Sequence, residues 1–383
     1  MKNEFLNYGK QSIDDQDIKA VADVLKSDFL TTGPQIEKFE QSLSNHTQAK
    51  YAVACGNGTQ ALHLACLAAG LKTGDYAIIP AITFLATANA VRYCGADVIF
   101  CDVDKDTGLM NAEHLNQALS ENKDKNIKAV LPVHLAGQIC DMVKIHKIAK
   151  QNGLKIIEDC SHAIGSEYNN IPCGNCKYSD FSTFSFHPVK TIAMGEGGAI
   201  TTNNEAAAEK MRTLRSHGME KDGNQEIWAY NMNDLGYNYR VSDMQCALGI
   251  SQMSKLNKFI KRRQEIANLY DELFKPLNPV IRTPVRVRWC DPAWHLYALR
   301  IDFKALTMDR GQMMHRLKDK NIGTQVHYIP VSSQPYYQTL YGKKHLEGAE
   351  HYYEHTLSIP LYPAMNNQDV EYVASAIKEI IHD

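Results

Sequence analysis

The sequence predicts an α/β protein: a layered domain built on a sheet covered on both faces, followed by a smaller α+β C-terminal domain. Three observations carry this reading. From about Ser12 to Leu154, helical and strand-like patterns alternate. The strand-like runs are short, apolar and cut by Gly or Pro, as in a sheet buried on both faces. After a long helical stretch, the chain returns to mixed strands and helices.

Each element follows in order. SIDDQDIKAVADVLK opens a helix, with Ser12 and Asp15 spaced as a capping box. Strands are expected at YAVAC (Tyr51–Cys55), YAIIP, ADVIFCDVD, AVLPVHL and LKIIED, and TQALHLACLAAG and TANAVRYC supply intervening helices. From Ser242 through Phe274, apolar residues such as Leu248, Leu256, Phe259, Ile266 and Leu273 recur at helical spacing. A boundary is placed near residue 260, giving a large domain over 1–260 with an N-terminal arm and a small domain over 261–383. In the small domain WHLYALRID and IGTQVHY read as strands, and DRGQMMHRLKDK and QDVEYVASAIKEII as helices.

Bulk properties narrow the function. A chain of 383 residues with 44% hydrophobic content can bury two cores. A net charge of -2 provides no basic field for nucleic acid, so any anionic ligand must be held locally. MKNEFLNYGKQS has no signal-like apolar run, and no stretch of about 18 apolar residues suits a bilayer, so a cytoplasmic protein without a membrane partner is expected. Ten cysteines, mostly in apolar surroundings, read as buried thiols in a reducing compartment.

Three segments carry chemistry. LKIIED ends on Asp159, a carboxylate at the C-terminal end of a strand, where open α/β sheets bind ligands; a turn or capping residue is the plainer alternative. In FSFHPVK, Lys190 follows an apolar run and precedes the turn Gly195-Glu196-Gly197-Gly198. Burial would lower its pKa and favour the neutral amine that attacks an aldehyde, whereas an exposed lysine would be inert. CGNGTQALHLA runs from a strand through a small turn into a helix, so N–H groups near Gly58 and Thr59 can hold a phosphate. Gly56, Gly58 and Ala61 also imitate a dinucleotide fingerprint, but the acid that should end the next strand is instead Asp75, which precedes YAIIP. A phosphate turn, a strand-end acid and a lysine are together what pyridoxal phosphate requires.

The stretches LTTGP (30–34), GNGTQALHLA, PAITFLATANA, EDCSHAIGSEY, FSFHPVK with GEGGAITTN, RSHGM, LGYNYRVSDMQCALG and VHYIP resemble the sugar aminotransferases of the DegT/DnrJ/EryC1/StrS family, from about Tyr8 to the C-terminus. The resemblance implies the type I aminotransferase fold, a large three-layer domain with a mostly parallel mixed sheet, and the cofactor pyridoxal 5′-phosphate. It makes Lys190 the lysine that bonds the cofactor and Asp159 the partner of its ring nitrogen. Gly58, Thr59 and Ser185 fall at the phosphate, Phe84 on the ring and His162 near its phenolic oxygen. Asn238 matches a residue that reaches into a second subunit, implying a homodimer with shared sites. Tyr8, Thr31, Asn57, His327 and Tyr328 match substrate positions. Members that dehydrate carry histidine in place of Lys190, so transamination is expected, with glutamate as donor. Within the family, SHAIGSEYNN, FSFHPVK and RSHGM are most similar to members that aminate C4 of a UDP-linked 2-acetamido-2,6-dideoxy-4-keto hexose in pseudaminic acid biosynthesis. The same parts would serve C3 amination or a GDP- or dTDP-linked sugar, and a non-catalytic sensor could keep the fold.

Other features are set aside. Cys173 and Cys176 have C-x-x-C spacing without the second half of a zinc site, so no metal is expected. His345, His351 and His355 read as surface residues, and Tyr336, Tyr337 and Tyr341 as packing within the small domain, with the lining of a nucleotide pocket as the alternative.

Overall fold

A computed structural model describes residues 4–221 and 226–382. In chain order, helices α1 (Asp15–Leu25) and α2 (Pro34–Thr47) precede strand β1 (Tyr51–Cys55), α3 (Gly58–Ala68), β2 (Tyr76–Pro80), α4 (Leu85–Tyr93) and β3 (Asp97–Cys101). Next come α5 (Ala112–Glu121), β4 (Ile127–Val130), α6 (Met142–Gln151), β5 (Lys155–Asp159), two short strands β6 (Glu167–Tyr168) and β7 (Ile171–Pro172), then β8 (Phe181–Ser185) and β9 (Gly198–Thr202). α7 (Glu205–Arg215), the pair β10 (Met219–Glu220) and β11 (Asn231–Met232), α8 (Asp243–Ser254) and α9 (Leu256–Phe274) follow. The chain closes with β12 (Ile281–Arg282), β13 (Cys290–Asp291), β14 (Tyr297–Ile301), α10 (Arg310–Asp319), α11 (Pro335–Tyr341), α12 (Glu347–His355), β15 (Thr356–Ile359) and α13 (Asn367–His382).

Seven strands form one sheet in the order β1-β9-β8-β5-β4-β2-β3. Only β9 runs against its neighbours β1 and β8, and the remaining pairs are parallel. One face is covered by a core that includes Phe39, Leu43, Ile145, Phe184 and Phe186, the other by one that includes Leu62, Leu64, Ile79, Val91 and Met211. This is the α/β architecture the sequence predicts, and parallel strands place their C-terminal ends, hence Asp159 and Ser185, along one edge. A third core joins α9, α10 and α13 to the antiparallel sheet β12-β14-β15, with Leu6 of the N-terminal arm among its residues.

Several elements depart from the sequence reading. The first helix is capped by Asp14, whose carboxylate accepts from the N–H groups of Gln16 and Asp17 while Asp17 returns a bond to Asp14 N. Ser12 is instead held by its carbonyl, which accepts from the Gln252 amide at 2.9 Å. AVLPVHL stops as a strand at Val130, since Pro132 brings no N–H to a ladder. The stretch from Ser242 to Phe274 is two helices, α8 and α9, joined at Lys255. IGTQVHY forms no strand; it makes isolated bridges, Ile322 to Leu6 and Gln325 to Ser358, and then delivers His327 and Tyr328 to a cavity. Tyr337 and Tyr341 pack against Phe100 of the large sheet rather than within the small domain, their hydroxyls donating to Asn89 and Asp97.

Gly198 opens β9 against the turn after β1. A Cβ there would overlap the Asn57 carbonyl and lie 2.9 Å from Gly58 N. Gly198→Ala should therefore destabilise the chain by about 1–3 kcal/mol in urea unfolding; an unchanged midpoint would show that this contact is slack.

Candidate active site

A cavity of about 620 Å³ opens at the C-terminal edge of the large sheet, within the range of small-molecule sites. Eleven of the expected residues line it: Tyr8, Asn57, Gly58, Thr59, Phe84, Asp159, His162, Ser185, Lys190, His327 and Tyr328. They come from the N-terminal arm, the β1–α3 turn, the start of α4, the ends of β5 and β8, and the segment before α11. Thr31 and Asn238 are not among its lining. Thr31 pairs with Ser242 and Asn238 with Ser216, and both are exposed.

The β1–α3 turn is shaped to receive an anion. Asn57 caps α3, its side-chain oxygen accepting from Gln60 N at 2.9 Å, while the first-turn N–H groups of a helix have no acceptor within it. Gly58 presses against Ser185: an added Cβ would sit 2.7 Å from the Ser185 Cβ. Backbone and hydroxyl thus converge with no side chain filling the cradle.

Asp159 is buried at the end of β5, where its backbone bonds to Pro132 and His134 hold it in the sheet. Oδ2 accepts from the Thr87 hydroxyl at 2.8 Å, and Oδ1 from Ser161 N at 3.1 Å. Because Thr87 donates to Asp159, the bond of 2.7 Å between Thr83 and Thr87 runs from Thr83. Each carboxylate oxygen therefore has one fixed donor.

Lys190 follows β8 in a turn closed by its own N–H to His187 O at 2.8 Å. Burial lowers its pKa to about 8, against the pull of the Asp159 charge, which raises it. A sizeable fraction of neutral amine is thereby present near neutral pH.

The wall opposite the sheet is aromatic and uncharged. Ala136 N donates to His162 Nδ1 at 3.3 Å, so the ring proton sits on Nε2 and points at the Tyr328 hydroxyl 3.1 Å away. Burial, then Lys190 and His327, push the His162 pKa well below its usual value. His327, lowered to about 3 by burial, bonds Ser358 at 2.8 Å. Phe84 is 56% exposed at the mouth, its ring 6.0 Å from that of Tyr328.

Sequence reasoning missed Thr87, Ser161 and His295. His295 packs behind His162, with ring centroids 4.4 Å apart. Thr87 lies four residues beyond Thr83, and two hydroxyls at that spacing beside a helix start could have drawn attention to them. Among the described residues, His134, Cys160 and Cys173 also come together. Both nitrogens of His134 are already engaged, by Glu158 at 2.7 Å and by Cys140 N at 3.3 Å. Cys176 bonds elsewhere, to Thr201 O.

The residues fit pyridoxal phosphate: a cradle that only Gly58 leaves open, a carboxylate with room for one further donor, and a part-buried lysine. Fold and cavity define a pyridoxal-phosphate-dependent aminotransferase of fold type I. The comparisons agree. A family model described as the DegT/DnrJ/EryC1/StrS aminotransferase family matches residues 11–378, and the chain belongs to that family. It is 39% identical over 388 residues to the spore coat polysaccharide biosynthesis protein SpsC of Bacillus subtilis, covering 99% of this chain and 98% of that one. It is 37% identical over 376 residues to a UDP-4-amino-4,6-dideoxy-N-acetyl-beta-L-altrosamine transaminase of Campylobacter jejuni, covering 98% and 97%. The solved structure of Helicobacter pylori PseC, an aminotransferase involved in the biosynthesis of pseudoaminic acid, superposes with a TM-score of 0.91 at 30% identity, over 99% of this chain and all of that one. The cofactor of this family's aminotransferases is pyridoxal 5′-phosphate.

Two outcomes are expected. Borohydride reduction of the holoenzyme should fix the cofactor on the peptide containing Lys190, and Lys190→Ala should abolish turnover. Thr87→Val keeps the shape but removes one bond to Asp159, so kcat should fall up to about ten-fold; an unchanged kcat would remove Thr87 from the site's machinery.

Proposed function

We propose that this chain transfers an amino group from glutamate to C4 of a UDP-linked 2-acetamido-2,6-dideoxy-4-keto hexose, a step of pseudaminic acid biosynthesis. The observation that carries the substrate is the full-length likeness to the Campylobacter jejuni transaminase and to PseC. The cavity supports it: one wall holds a phosphate cradle and a carboxylate, and Tyr8, His327 and Tyr328 line the other side with polar aromatic groups suited to a sugar.

In this reading Lys190 and Asp159 are the catalytic residues. Gly58, Thr59 and Ser185 hold the cofactor phosphate, Phe84 covers the ring, and His162 approaches its phenolic oxygen. Bound there, pyridoxal phosphate supplies an aldehyde to carry nitrogen and a ring that accepts electrons. Asp159, oriented by hydrogen bonds from Thr87 and Ser161, would be the partner of the ring nitrogen. Lys190 would hold the cofactor, and burial lowers the pKa of its free amine to about 8. With the cofactor bound, that amine would be placed to carry a proton, as base and then as acid. His162 and Tyr328 add no charge to that side of the cavity. Tyr8, Asn57, His327 and Tyr328 contact the sugar nucleotide.

Assembly as a homodimer belongs to the same proposal. Asn238 does not line its own cavity, and the nearby segment exposes Ile227, Trp228, Tyr230, Met232 and Leu235, an apolar group of the kind that marks an interface. A second copy would cover it and bring Asn238, and with it Thr31, towards the partner's site.

The test is a mass-spectrometric assay with pyridoxal phosphate, glutamate and the UDP-linked 4-keto sugar. A 4-amino product absent with Lys190→Ala is expected. Cofactor binding without product would overturn the sugar assignment and direct the search to C3 amination or to GDP- and dTDP-linked keto sugars.

A further inference from the structure

A second cavity, of about 420 Å³, opens where the end of α9 meets β12, and it shares no lining residue with the active-site cavity. Its lining carries four cations, Lys275, Arg282, Arg286 and Arg300, against two carboxylates, Asp271 and Glu272. Asp271 is already engaged, accepting from the Tyr297 hydroxyl at 2.6 Å and from Arg286 Nε at 3.1 Å. Arg282 and Arg300 stand directly opposite each other on the antiparallel strands β12 and β14. Their guanidiniums therefore leave the sheet on one face, where like charges repel. One carboxylate serves both: Asp106, in the turn after β3, bonds Arg300 Nη1 and lies 3.9 Å from Arg282 Nη1. It does not exhaust them. Arg300 is only 8% exposed, yet its Nε, like that of Arg282, is buried with no hydrogen-bond partner.

We propose that this cavity is a second binding site, for a small phosphate-bearing anion held by Lys275, Arg282 and Arg300. Guanidinium forks match phosphate oxygens two at a time. Residues directly opposite on antiparallel strands are about 5 Å apart at Cα, close enough for one phosphate group to meet both arginines. The anion supplies the negative charge that Asp106 alone divides between them. Glu272 is exposed at the rim, where solvent and salt screen its charge. The phosphate group is what the cations recognise, and it reaches the site as inorganic pyrophosphate or as part of an organic phosphate. Phe274, Ile281, Pro284 and Val285 add apolar lining for an organic part, and the volume falls within the range of small-molecule sites. The site is separate from the cofactor's phosphate cradle at Gly58 and Ser185 and does not depend on the identity of the sugar.

The test is a lysine footprint on the holoenzyme, whose cradle is filled by its own cofactor. Acetylation is followed by peptide mass at Lys275 and, as a reference, at Lys26, which is exposed beyond α1. Inorganic pyrophosphate and uridine diphosphate are titrated in separate arms. Either should slow labelling at Lys275 and leave Lys26 unchanged; protection by both shows that the phosphate group suffices, and protection by uridine diphosphate alone shows that the site takes an organic phosphate. Arg282→Gln should raise the concentration needed for half-protection about ten-fold or more, whereas Arg282→Lys, which keeps the charge, should recover part of that loss. Lys275 labelling that neither anion slows, or protection that survives intact in Arg282→Gln, overturns the proposal.

Discussion

Charge and burial act in opposite senses on the amine of Lys190, and the rest of the structure serves to hold that opposition. Burial alone would strip the proton from the lysine, whereas the Asp159 carboxylate alone would keep it; together they leave the amine near pH 8. For the balance to hold, the carboxylate must stay fixed beside the amine. Thr87 and Ser161 secure it by hydrogen bonds, and the neutral ring of His162 keeps a competing positive charge away.

The sheet explains why these groups meet. Neighbouring parallel strands end on one edge, so Asp159 at the end of β5 and Ser185 at the end of β8 face one cavity, with Lys190 a short turn further on. The antiparallel strand β9 returns from that edge, and Gly198 lets it pass close enough to the β1–α3 turn to set the phosphate cradle. The opposite wall comes from His327 and Tyr328, carried by the segment that pairs with β15 at Ser358.

What was legible in the sequence was what depends on local pattern. A strand-ending aspartate, a lysine after an apolar run and a glycine turn before a helix are each visible within about ten residues, and the cavity unites them. Thr87 and His295 were not legible, because their roles come from packing between segments distant in sequence: Thr87 is 72 positions from Asp159. IGTQVHY looked like a strand because its apolar alternation fits one, yet tertiary contacts spend that alternation on single bridges and on filling the cavity wall. The capping box slipped from Ser12 and Asp15 to Asp14 and Asp17 within a run of acids and amides where several spacings compete. That Thr31 and Asn238 stay outside the cavity was not legible either, because a resemblance assigns them by position in the sequence and not by contact.

The central claim, that Lys190 is tuned by burial against Asp159, is tested most directly by titrating the lysine amine itself. Competitive labelling of the cofactor-free protein across pH, read at the Lys190 peptide, should give an inflection near 8. In Asp159→Asn the inflection should move lower, because the charge that raises it is gone. An inflection at the ordinary lysine value of about 10.4, or one that does not move with Asp159→Asn, would contradict the account.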